Sequence, residues 1–524
     1  MPITDFLEIN SRLYPNETAL TEISPQEQSD SLRPSDPYPR REYSWVEFNR
    51  QANLFSNALL DKGYGKGKKV AILMTNCLEW LPVYFGVLKT GALAVPINYR
   101  FSAAEIKYCL ELSDADMVVF GAEFIGRMEK IAGELEGKCA MLYLGGGECP
   151  DFSGDYSSFV ERASGENPGI ALTDADHAAI YFSSGTTGFP KAILHDHESL
   201  MHAAAAEQKH HMQTHEDVFL CIPPLYHTGA KMHWFGSLLV GGRAVLLRGV
   251  KPEWILTAAS QERCSIVWLL VPWAQDILAA LGSGELSLAD YDLSRWRLMH
   301  IGAQPVPKSL IDNWLRLFPS HQYDTNYGLS ESAGPGPVHL GIDNTHKVGA
   351  IGKAGYGWET RIVDENMVDV PQGQIGELCL KGAGNMLCYY KNDEATVASL
   401  KDGWLLTGDL VKEDEDGFIY LVDRKKDLII TGGENIYPVQ IENFLSAHPS
   451  VHDVAVIGLP DERLGEIAAA IVQLKKGAEC SREEIAEFCR ALPRYKRPRQ
   501  IVFAEVIRNA TGKIDKPLLR SMYR

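Results

Sequence analysis

The densest chemistry in the chain lies at Tyr181–Ala192, YFSSGTTGFPKA. An apolar strand, AAIYF, runs into Ser183, Ser184, Gly185, Thr186, Thr187 and Gly188, and Pro190 and Lys191 follow. Glycine lets a backbone approach a ligand closely, and hydroxyls with backbone N–H groups can surround phosphate oxygens. Lys191 adds a point charge suited to a phosphate. The loop is not of the GxxxxGK[ST] type, because Pro190 precedes the lysine and Ala192 follows it. SSGTTG alone also suits an ordinary turn; the strand before it and the Pro-Lys pair after it favour a phosphate loop. Other chemically capable residues are Glu331 in YGLSE, Asp409 in TGDL, Arg424, Lys513 in ATGKI and His227 in PLYHTG. Each alone also fits a bland role: a surface glutamate, a turn aspartate, a solvated cation, a core histidine.

In their order along the chain these segments resemble the motifs of the adenylate-forming superfamily, which comprises acyl-CoA synthetases, peptide-synthetase adenylation domains and firefly-type luciferases. The motifs are YFSSGTTGFPKA, PPLYHTG (223–229), NYGLSES (326–332), IGELCLKG (375–382), GWLLTGDL (403–410), DRKKDLIITGGENIYP (423–438) and RNATGKIDK (508–516). The resemblance implies an α/β fold, with a large N-terminal domain of stacked α/β subdomains (1–423) and a small, mobile α+β C-terminal domain (424–524). The hinge falls on Lys426. It also implies ATP, Mg²⁺ and coenzyme A, with a small carboxylic acid as the fourth participant.

Residue roles follow from the same resemblance. Ser183 to Gly188 and Lys191 surround the phosphates. Gly302, Ala303, Gln304, Asn326, Tyr327 and Gly328 lie about the adenine. Ser330 stands where the family usually has Thr and keeps the hydroxyl. Glu331 contacts Mg²⁺ or phosphate, Asp409 holds the ribose, and Arg424 contacts ribose or phosphate. Lys513 is the lysine that reaches the carboxylate and the α-phosphate, and a cation there stabilises attack of one anion on another. His227 gates the acyl site, which Gly229, His233, Trp234, Gly302 and Gly328 line. Once the small domain has turned, Gly432, Gly433, Glu434 and Arg497 of the basic run 494–499 meet CoA. Lys513, Glu331, Lys191 and His227 form the catalytic set.

The expected reaction joins a carboxylate to AMP with loss of pyrophosphate, then exchanges AMP for the CoA thiol. A ligase loading a carrier protein and a non-catalytic nucleotide-binding module are the alternatives. Acetate-specific relatives carry Trp where this chain has Gly328, so a medium-chain, aromatic or alicyclic acid is expected. Lys231, one turn beyond His227, is expected to face solvent. His195, His202, His210, His211 and His215 have spacings that match no common zinc site.

These residues need elements to hold them. KKVAILMTN (68–76) reads as a buried strand, 78–91 as a helix ending at Gly91, and 92–98 as a second strand. A helix over 102–114 opens on a capping box, Ser102 with Glu105, and DMVVF (116–120) is a third strand. The alternation predicts parallel sheets with helices on their faces. VFLCIPP, RAVLL, SIVWLLVP and RLMHIGA continue the strands, and 145–172 reads as a surface connection. Beyond DRKKD, two strands and a helix opened by Ser481 suggest a compact α+β unit.

Composition narrows the classes. In 524 residues, 45% are hydrophobic and 23% charged, which excludes disorder as the main state. A net charge of −17 disfavours nucleic-acid or anionic-membrane partners. The acid excess precedes the hinge: residues 424–524 hold 17 Lys+Arg against 13 Asp+Glu. Ten cysteines without a CxxC pair read as reduced thiols. No signal core or transmembrane run is present, so a cytoplasmic location is expected. A homodimer is compatible with this composition.

Overall fold

The structure, a computed structural model, describes residues 1–27, 38–183, 190–302, 306–431, 434–509 and 513–524. The chain forms two compact units, one of 1–360 and 380–405, the other of 361–379 and 406–524.

The first unit is built on two large sheets. One has eight strands, and its centre is the parallel set Leu93–Pro96, Lys69–Leu73, Met117–Gly121 and Ala140–Leu144. These strands are nearly continuous apolar runs, as burial on both faces requires. Towards one edge, His177–Phe182 pairs in parallel with Leu93–Pro96 and antiparallel with Ala192–Asp196, which in turn pairs with Cys388–Tyr389. The other sheet has seven strands in the order Gln322–Asp324, Leu298–Gly302, Ile266–Leu270, Val218–Cys221, Arg243–Leu247, Thr18–Ile23, Arg40–Ser44.

Helices Trp45–Asp61, Trp80–Lys89, His197–His210 and Thr228–Leu239 join both sheets in one core. Phe48, Phe85, Trp234 and Phe235 interlock there with ring centroids 5.6–6.0 Å apart. Gly86 is required in this core, since a Cβ would sit 2.9 Å from both the Ala52 carbonyl and the Phe55 ring. The capping box at Ser102 and Glu105 forms as expected and opens helix Ala103–Leu112. The connection 145–172 holds one short helix, Tyr156–Val160, whose Tyr156 and Phe159 pack on Phe55.

The second unit contains a sheet ordered Glu434–Ile436, Ile429–Thr431, Gly465–Leu474, Val451–Asp461, with Gln500–Phe503 parallel to Gly465–Leu474. Strand alternation divides its apolar residues between two cores. Val454, Val456, Ala470 and Val472 face helices Pro438–Ser446 and Arg482–Phe488, while Ala455, Ile457, Ala469 and Ile471 face helix Lys516–Tyr523. Ser481 caps its helix in a full capping box with Glu484. No helix among the described residues is long and apolar enough to cross a membrane.

Candidate active site

The phosphate loop springs from an antiparallel pair. Phe182 lies opposite Ala192, and the Ser183 N–H donates to the Lys191 carbonyl at 3.1 Å, so the two ends of the loop are pinned together. Ser184, Gly185, Thr186, Thr187 and Gly188 lie outside the described residues, as do Ala303, Gln304, Gly432 and Gly433. Lys191 Nζ stands 4.5 Å from the centroid of the Tyr389 ring. The Tyr389 hydroxyl donates to Glu331 Oε1 at 2.8 Å. One tyrosine therefore carries both the loop cation and the expected metal carboxylate. Burial and the Glu331 carboxylate push its phenol pKa up, so it remains a donor.

Glu331 is fixed from its backbone too. It sits in the 3-10 turn Ser330–Ser332, and its carbonyl accepts from Met386 N–H at 2.7 Å. The Ser330 carbonyl lies 2.8 Å from His195 Nε2. Burial pushes His195 down to about 4, so this ring is neutral and donates through Nε2. Sequence reasoning missed both Tyr389 and His195. The CYY run gave no reason to prefer either tyrosine, and the pairing of Tyr389 with Ile193 depends on a strand nearly 200 residues earlier.

The remaining first-unit residues lie on or beside helix Thr228–Leu239 and strands Leu298–Gly302 and Asn326–Leu329. His227 is half-buried, precedes helix Thr228–Leu239 and packs on Tyr226 at 4.2 Å between centroids. Gly229 lies in that helix's first turn, and a Cβ on the left-handed Gly334 would sit 2.9 Å from its nitrogen. Trp234 is buried among Phe48 and Phe85, and His233 is buried on another side of the same helix, against Trp268 and His300. Gly302 ends strand Leu298–Gly302, and a Cβ there would make only ordinary contacts, the nearest being Thr325 Oγ1 at 3.8 Å. Tyr327 is buried and Gly328 exposed on strand Asn326–Leu329. The Asn326 amide, expected at the purine, donates to Glu207 Oε1 at 2.8 Å.

Lys231 corrects the expectation of a solvent-facing cation. It is fully buried, with Nζ 4.2, 5.1 and 5.6 Å from the ring centroids of Tyr181, Tyr84 and Trp80. Burial holds its pKa well below the usual lysine value. Its position in the helix core face, four residues after His227, turns it inward.

In the second unit, Asp409 and Arg424 are cross-strand partners on Trp404–Glu413 and Ile419–Arg424, with Arg424 Nε 2.8 Å from Asp409 Oδ1. Asp409 is 1% exposed. Lys426 occupies the 3-10 turn Lys425–Asp427, which Arg520 anchors by donating to Asp427 at 2.7 Å. Lys513 is exposed; its carbonyl accepts from the Asn509 N–H at 2.8 Å, and its own N–H donates to the Asn509 side chain at 3.2 Å. Glu434 is exposed at the start of its strand. The Arg497 guanidinium donates to the carbonyls of Leu492 and Arg490 at 2.9 and 2.7 Å, so it closes its own loop.

The AMP-binding enzyme model matches residues 7–390, and the AMP-binding enzyme C-terminal domain matches 440–513. The chain belongs to the AMP-binding enzyme family. It is 33% identical over 487 residues to the long-chain-fatty-acid–CoA ligase FadD13 of Mycobacterium tuberculosis, covering 92% of this chain and 93% of the relative. It is 30% identical over 486 residues to a feruloyl-CoA synthase of Amycolatopsis, covering 92% and 94%. Among solved structures, the anthranilate CoA ligase AuaEII with anthranoyl-AMP superposes with a TM-score of 0.87 at 27% identity, covering 100% of this chain and 97% of that one. The enzyme is accordingly an acyl-CoA ligase of the AMP-forming family, with ATP and CoA as substrates.

Proposed function

We propose that this ligase activates a medium-chain, aromatic or alicyclic acid through the residues named above. A carboxylate oxygen attacks the α-phosphorus of ATP, forming acyl-AMP and releasing pyrophosphate. The CoA thiol, losing its proton, then attacks the acyl carbon, and AMP departs. The observation that carries this reading is the Lys191–Tyr389–Glu331 arrangement at the mouth of the Ser/Thr/Gly loop, which presents a cation and a carboxylate together. Glu331 has one oxygen held by Tyr389, and one carboxylate with phosphate oxygens is a donor set that suits Mg²⁺. There Mg²⁺ would neutralise charge on the triphosphate. Asp409 and Arg424 take the ribose, and Lys513 supplies the cation for adenylation. The acid class rests on Gly328 and on the relatives, which include fatty-acid, feruloyl and 2-succinylbenzoate ligases.

The test is acid-dependent ATP–pyrophosphate exchange across a panel of carboxylic acids, followed by thioester formation with free CoA and with a holo-carrier protein. Exchange with ring or medium-chain acids and transfer to free CoA is expected. Absence of exchange with every acid refutes the enzyme assignment, and transfer to the carrier alone refutes the choice of CoA. Gly328→Trp should shift the ranking toward short acids, because an indole fills space that a ring or long chain needs. An unchanged ranking removes Gly328 from the acyl pocket.

A further inference from the structure

Six buried side chains converge in the first unit, apart from Lys191, Tyr389 and Glu331: Glu207, His211, His233, His300, Asp324 and His339, each fully or almost fully buried. Five elements deliver them. Glu207 and His211 lie one turn apart, at the end of helix His197–His210. His233 comes from helix Thr228–Leu239, and His300, Asp324 and His339 from three strands.

Glu207 Oε2 is the focus. It lies 3.1 Å from His233 Nδ1, 3.4 Å from His211 Nδ1 and 3.5 Å from His339 Nε2. Charge-assisted N–H···O bonds are shorter, about 2.7–2.9 Å. Neither His211 Nδ1 nor His233 Nδ1 makes a hydrogen bond among the described residues. Donor atoms bound at about 2.0–2.1 Å to one tetrahedral zinc-class ion stand about 3.3 Å from each other. The spacing around Glu207 Oε2 fits ligands of a common ion. One donor atom each from Glu207, His211 and His339 also lie within 4.8 Å of one another.

The surroundings have the form of an outer shell. His211 Nε2 and His339 Nδ1, the nitrogens turned away from Glu207, each lie 2.9 Å from Asp324 Oδ2. Glu207 Oε1 is held by Asn326, and Asp324 Oδ1 accepts from Gly341 N–H at 3.0 Å. Imidazoles that bind a metal are commonly oriented in this way by a carboxylate. Two buried carboxylates also call for about two positive charges nearby.

We infer that Glu207, His211 and His339 form a structural site for a divalent first-row transition ion of the zinc class, with Asp324 as its outer carboxylate. Full burial of these donors leaves no path for substrate, so the ion braces the fold. It would tie helix His197–His210 to Asn326, the first residue of the strand that leads to Ser330 and Glu331. The inference is independent of which acid the ligase takes.

The test uses full-length enzyme without nucleotide or Mg²⁺. Metal content is measured after gel filtration, and the chelator-stripped protein is titrated with Co²⁺ alone. About one retained ion per chain and visible bands of tetrahedral Co²⁺ are expected, together with a lower Tm after stripping. Glu207→Gln and His339→Gln should abolish the Co²⁺ bands. Asp324→Asn should keep them with about 10–100-fold weaker binding. If either Gln variant fails to fold, the wild-type measurement still decides. No retained ion and no tetrahedral bands in wild-type protein overturn the site and leave a proton-sharing network. An ion whose bands are unchanged in both Gln variants lies elsewhere and overturns it too.

Discussion

At the residue scale, the proposed adenylation chemistry can be probed through the contacts that hold Lys191 and Glu331. Tyr389 offers two separable ones, a ring beneath Lys191 and a hydroxyl on Glu331. Tyr389→Phe keeps the first and removes the second. Losing one hydrogen bond to a charged group, worth about 1.5–3 kcal/mol, should slow pyrophosphate exchange about 10–100-fold. Tyr389→Leu should fall further by a few-fold, since a cation–π contact is worth about 0.5–2 kcal/mol. A Phe variant with wild-type exchange would show that the Tyr389–Glu331 contact plays no part in the site. Lys513 is a different case, an exposed residue. Lys513→Ala should cut acyl-AMP formation by about 100–1000-fold, as loss of a transition-state cation does. Thioester formation from supplied acyl-AMP should stay near wild type. The reverse pattern would place Lys513 in the second step.

At the scale of elements, the turn Lys425–Asp427 joins two strands of the second unit. The proposal that it is a hinge requires its backbone angles to change between the two steps. Lys426→Pro fixes φ near −65° and removes a donor. Acyl-AMP formation should remain within about threefold of wild type, while transfer to CoA slows about 100-fold, equivalent to about 2.7 kcal/mol. Lys426→Ala, which removes charge without locking the backbone, should leave transfer largely intact. Equal behaviour of the two variants would mean that the charge matters and the hinge does not.

At the scale of the whole molecule, burial of neutral histidines sets the acid stability. His197 and His321 are 1% and 5% exposed, and burial pushes each down to about 4 from an ordinary 6.5. The folded state then binds fewer protons than the unfolded state between these values, so stability rises with pH through that window. It is complete above about pH 6.5 and declines as pH falls toward 4, by up to about 2–3 kcal/mol for each histidine. His321 lies among Trp296, Trp314 and Phe318, and its Nδ1 has no hydrogen-bond partner among the described residues. His321→Phe should therefore flatten the dependence of urea midpoint on pH below 6.5 while leaving pH 7.5 little changed. A slope equal to wild type would show that His321 does not titrate with unfolding.

The sequence by itself determined the family, the motif order and most elements, because those signals are local. Strands 69–73 and 117–121 are short apolar runs, and Ser102 with Glu105 and Ser481 with Glu484 cap helices through residues three apart. The expectation of phosphate chemistry at Ser183 and Lys191 rests on equally local signals: glycine, hydroxyl and cation lie within one short stretch of sequence. Tertiary structure alone decided which side chains meet across long separations. The antiparallel register that brings Tyr389 beside Ile193 puts one phenol on Glu331 and under Lys191. Helical phase turned Lys231 into an aromatic cage rather than toward water. The histidines looked unrelated because their linear spacing carries no ligand pattern. Only Glu207 and His211, one helical turn apart, left a local trace, and His233, His300 and His339 arrive from a helix and two strands that folding brings to the same buried point.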